Sequence, residues 1–189
     1  MESEKEEIEI NPFKVIWKVK TKMLNKSFFI VWGILVVLVI GLYITAHYSS
    51  YVAVKLIHLE DFLIPGITGL SFTLALITAT TRIFPKEQLV DIYSFTDDGK
   101  MEKGHLFYRT IAPYIWTSTI WLLISIGALF SKMFSIKIPV FMHSLLEIFF
   151  ISIVLMGVMS LWSLLITHIK DISLETEREI NKTDYDNKE

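Results

Sequence analysis

Four apolar stretches, at residues 28–46, 62–81, 111–130 and 139–169, dominate the chain and carry one formal charge between them, Glu147. An α-helix rises about 1.5 Å per residue, so about 20 apolar residues match a hydrocarbon core of about 30 Å, and each stretch is long enough to cross a bilayer once. Chains that cross lipid must satisfy every backbone N–H and C=O internally, which leaves helices as the form these stretches can take. The sequence therefore reads as an all-α integral membrane protein with four transmembrane helices. It divides into a cytoplasmic arm (1–27), a four-span membrane domain (28–169) and an acidic tail (170–189), with a cytoplasmic loop (82–110) between spans two and three.

The basic residues assign the orientation. Six Lys precede span one, five Lys and Arg lie in the 82–110 loop and four follow span four, fifteen on one side; Lys55, Lys132 and Lys137 make three on the other. Lys and Arg accumulate on the cytoplasmic side, so both termini and the 82–110 loop are expected there, in a plasma or cell inner membrane. Trp17, Tyr108, Tyr114 and Trp162 then fall near the inner interface and Tyr43, Tyr48 and Tyr51 near the outer one, where amphipathic rings settle.

Composition removes several functions. An apolar share of 52% does not suit a soluble domain of 189 residues. The first apolar run follows 27 polar and mixed residues and is long enough to span, so it reads as an uncleaved anchor and not as a signal peptide. There is no cysteine, which excludes disulfides, thiol nucleophiles and Cys-ligated metal. No His-Glu-x-x-His, Gly-x-Ser-x-Gly or Walker A pattern occurs and no span contains Asp, so no catalytic site, cofactor or metal is expected. The net charge of −2 gives no reason to expect nucleic acid.

Each polar segment nevertheless has a pattern. After an acidic start, Asn11 is placed to cap a helix that Pro12 opens. Phe13, Ile16, Trp17, Met23 and Leu24 fall on one face of it, while Lys14, Lys18, Lys22 and Lys26 recur every fourth residue on another. Such a helix fits the bilayer surface, its rings at the acyl boundary and its lysines among anionic head groups; a docking helix for a partner is the alternative. The 82–110 loop is too long for a bare connection. Pro85 can open a short helix through Tyr93, and Asp97, Asp98 and Gly99 spell a turn; the five or more oxygen ligands of a Ca²⁺ loop are missing. Ile92, Tyr93 and Phe95 are more apolar than a solvated linker needs, so they and the Asp97–Asp98 pair are candidates to dock a cytosolic protein. The tail after 169 is expected to continue as a helix and then fray.

Polar groups inside the spans are the remaining candidates. Gly66, Gly69 and Thr73 form a small stripe on span two, where helices approach closely. Together with Thr80, and with Thr117 and Ser125 of span three, they either pack helices or line a wet path made by several copies. Hydroxyls that bond to the preceding turn of their own helix would need no such path. Glu147 has His143 one turn earlier on the same face. The pair is either interfacial, at the outer head-group level, or an inter-subunit contact, a proton-sensitive switch or an ion-selecting ring.

In span count, length, cytoplasmic termini and the 82–110 loop, the chain resembles the small four-span membrane subunits of bacterial anti-phage systems, such as the membrane component of Kiwa. That resemblance implies an oligomeric sensor that restrains or positions a cytosolic effector. Bacteriocin-immunity proteins share the outline, and an oligomeric ion-conducting or depolarising pore is a further alternative. The expected partners are membrane lipid, further copies of the chain and a cytosolic protein.

Overall fold

The computed structural model describes residues 11–19, 26–48, 58–83, 92–94, 104–134 and 139–186, and among these there is no strand. Among the described residues the main elements are α1 (Pro12–Val19), α2 (Lys26–Tyr48), the 3₁₀ turn Leu59–Phe62 running into α3 (Leu63–Ile83), α4 (His105–Met133) and α5 (Val140–Asp186). Four segments among the described residues are long and apolar enough to cross a membrane: Ser27–Ala46, Leu59–Thr80, His105–Met133 and Met142–Leu174. Helix α4 begins six residues before the expected 111, where Gly104, with φ of 78°, turns the chain directly into it. Helix α5 continues past 169 and runs unbroken to Asp186.

Helix α4 is the centre of the bundle, packed by α3 on one side and α5 on another. Glycine sets how close the neighbours come. A Cβ on Gly69 would lie 2.3 Å from the Trp121 ring, and one on Gly66 2.6 Å from Ser125 Oγ. On the other side Gly157 abuts Ile120, Ile124 and Trp121, and Gly127 abuts the Phe150 ring. Without a hydrophobic driving force between helices in lipid, these close approaches supply the van der Waals contact that holds them together. Ile120, Trp121 and Ile124 are the buried core, with Phe62, Leu70, Phe150 and Val154 against it. Pro65 sits in the first turn of α3, where its missing N–H costs least.

Helix α2 stands apart. It packs on α5, and of its described side chains only Phe28 is fully buried. Gly33 and Gly41 have nothing within 4 Å of where a Cβ would be. Helix α1 is the opposite case, short but firmly seated. Asn11 Oδ1 accepts from the N–H groups of Phe13 (3.0 Å) and Lys14 (3.4 Å) and so caps its first turn. Val15 and Val19 are buried against Tyr108 and Ala112 near the start of α4. A helical turn at 92–94 completes this cluster: Tyr93 packs edge-on against Phe107 and Tyr108, and its carbonyl accepts from Gly104 N–H at 3.0 Å. The bundle thus has a terminal end, with α1, the 92–94 turn and the far reach of α5, and a distal end, with the 3₁₀ turn and the start of α5.

Candidate functional site

The embedded polar groups gather in two clusters, one toward each end. At the terminal end Thr80 of α3, Tyr114 of α4 and His168 of α5 meet: Thr80 Oγ1 is 2.9 Å from Tyr114 Oη and 3.2 Å from His168 Nδ1. Thr80 also donates to the Leu76 carbonyl at 2.9 Å. A hydroxyl has one proton and two lone pairs. With the proton on Leu76 O, Tyr114 O–H and a protonated His168 Nδ1 become the two donors, and every valence of the hydroxyl is used. Leu76, Tyr114 and Leu164 cover the cluster with apolar surface.

The distal cluster is less complete. Glu147 is 4% exposed, while the side chain of His143, one turn before it, is 50% exposed. Tyr43 of α2 donates to Glu147 Oε2 at 3.3 Å. His143 Nδ1 stands 3.4 Å from Oε1, an ion-pair distance without the alignment of a hydrogen bond, so Oε1 accepts none among the described residues. One more polar tie joins α2 to α5, from Trp32 Nε1 to the Ser152 carbonyl at 3.0 Å.

Glu147 and His168 are 21 residues apart on one straight helix, about 31 Å of axis, against a hydrocarbon core of about 30 Å. On α3 the same depth separates Thr80 from Glu60 and Asp61, exposed on the 3₁₀ turn. The two clusters are therefore separated by about one hydrocarbon thickness. Glu147 is buried by protein, with the half-exposed His143 one turn nearer the start of α5.

The other candidate residues separate by environment. Thr73 and Thr117 are buried, and their hydroxyls donate to the carbonyls one turn back, Gly69 and Pro113, both at 2.8 Å. Ser125 does the same to Trp121 O while it faces Gly66. Gly66–Ser125 and Gly69–Trp121 make the close α3–α4 contact, and the three hydroxyls bond within their own helices. Tyr93 is half-buried, its ring edge-on against Phe107 and Tyr108. Ile92 is half-buried beside it. Phe95, Asp97 and Asp98 lie outside the described residues, as do Lys22 and the side chains of Lys18 and Lys26. Lys14 is exposed on α1.

Sequence reasoning had no means to pair Trp32 with Ser152 or Thr80 with His168. The available signal was position: Thr80, Tyr114 and His168 each stand at the terminal end of their own span. Among the described residues no group of three His, Cys, Asp or Glu could hold a metal ion. No protein-family model matches the chain, and no curated protein or solved structure matches it.

Proposed function

We propose that this is a non-enzymatic, self-associating protein of a bacterial inner membrane that senses a membrane event and holds or signals to a cytosolic partner, with anti-phage defence the process its layout fits. One observation carries the reading. The structured parts outside the spans, namely α1, the 92–94 turn and α5 beyond Leu174, belong to the end that bears fifteen of the eighteen basic residues. The positive-inside rule makes that end cytoplasmic, with α1 as an interfacial helix. A sensor needs its built surface on the side where its partner resides. The conducting alternative gains nothing from the span hydroxyls, since Thr73 and Thr117 are closed off on their own helices and sealed between α3 and α4.

The absence of cysteine makes orientation simple to test. In the proposed topology Asp97→Cys and Asn187→Cys react with a membrane-impermeant maleimide only after cells are opened, whereas Ser50→Cys reacts in intact cells. The reverse pattern overturns the orientation. For the partner, gentle cross-linking followed by purification recovers a cytosolic protein, and Asp97→Lys with Asp98→Lys lowers its recovery. Ion flux through vesicles holding the purified chain alone would replace this reading with a pore.

A further inference from the structure

We infer that α1 reads the anionic lipid surface and passes its state to the 92–94 turn through the Val15–Tyr108–Tyr93 cluster. The inference rests on the orientation proposed above and adds the sensing element and its ligand.

Three facts carry it. Helix α1 advances about 100° per residue, so Phe13 and Trp17 share one face and Val15 and Val19 lie roughly opposite. The valines are buried on α4, and Phe13 and Trp17 are 71% and 70% exposed. Two large rings presented outward from a helix already seated on the bundle need an apolar cover.

Depth identifies the cover. If the Thr80–Tyr114–His168 cluster is taken as the terminal edge of the hydrocarbon, Tyr108 and Ala112, on which α1 rests, lie six and two residues before Tyr114, about 9 and 3 Å further out along α4. That is the head-group layer, where Trp and Phe settle with their apolar bodies toward the acyl chains. From Val19 the chain reaches the membrane span at Ser27 within eight residues, which keeps α1 against the bilayer. Charge identifies the lipid. Lys14 is exposed beside the rings, and the arm holds six Lys before span one, each worth about 1 kcal/mol against an anionic surface.

Coupling follows from what lies beneath α1. Its buried face touches Tyr108, Tyr108 touches Tyr93, and Tyr93 is tied by its carbonyl to Gly104. Gly104 has no room for a side chain, since a Cβ would come 2.9 Å from the Tyr93 ring. A shift of α1 on the lipid surface therefore has a packed route to the 92–94 turn and no slack at Gly104 to absorb it.

The test uses the full chain in vesicles of phosphatidylcholine, alone or mixed equally with phosphatidylglycerol, with a bimane label on Phe13→Cys, Ser94→Cys or Thr176→Cys. Lipid spin-labelled near the head group should quench the Phe13 label several-fold more than the Thr176 label, which lies about 12 Å beyond His168. Phosphatidylglycerol should shift the emission of the Ser94 label, and Phe13→Ser with Trp17→Ser should abolish that shift while helix content stays unchanged. If aqueous iodide quenches the Phe13 label as freely as the Thr176 label and lipid does not, the face belongs to water or a protein partner and the inference fails. If lipid quenches Phe13 but Ser94 does not respond, the coupling fails. Neither result depends on the maleimide pattern, so a wrong orientation and a wrong ligand are told apart.

Discussion

Helices α2 and α3 are both apolar helices of just over twenty residues, yet they are held in different ways. Helix α3 is gripped along its length: Gly66 and Gly69 let Ser125 and Trp121 come to backbone distance, and Thr80 ties it to two other helices. Helix α2 faces outward over most of its surface and joins α5 through Trp32–Ser152 and Tyr43–Glu147. Hydropathy makes both long and apolar enough to span, α2 the more apolar of the two. In lipid, apolar area does not drive helices together, so small residues and placed hydrogen bonds decide which span is core and which is an arm.

Substitutions should separate the two helices in order of size. Gly69→Ala puts a methyl into the Trp121 indole and should cost about 3 kcal/mol in equilibrium unfolding, the upper range for overpacking. A loss under about 1 kcal/mol would mean that the α3–α4 contact relaxes easily. Thr80→Val strips Tyr114 and His168 of a shared acceptor in a covered site and should cost about 1–2 kcal/mol by the same measurement. A double-mutant cycle on Tyr43→Phe and Glu147→Gln should give a coupling of about 0.6 kcal/mol, the usual size for polar pairs within membranes. Zero coupling would leave Trp32 as the tie that matters. Gly33→Ala, with open space around it, should be neutral or stabilise α2 slightly through helix propensity.

The spans themselves were legible because crossing lipid requires a length of apolar helix, and the first one differs from expectation by a single residue at its start. The partners across helices were not. Which side chain meets Thr80 depends on how α3 and α5, both running the same way through the bilayer, are staggered, and a single sequence contains no stagger. Helix α1 shows the limit at close range. Valines and lysines both recur every fourth residue there, and only the presence of Tyr108 and Ala112 decides that the Val15–Val19 edge goes inward and the rings go out. For Glu147 the residue type and its His143 neighbour were visible in advance. Its contact with Tyr43 of α2 was not.

Helix α5 has a mechanical consequence. Its 47 residues form one rod of about 70 Å, more than twice the hydrocarbon thickness, and it is the rod on which α2 leans. From Glu147 to Asp186 is about 58 Å, so a tilt of roughly 10° pivoted at Glu147 would sweep the tip through about 10 Å. In a helix this long, a small angle at one end is a large displacement at the other.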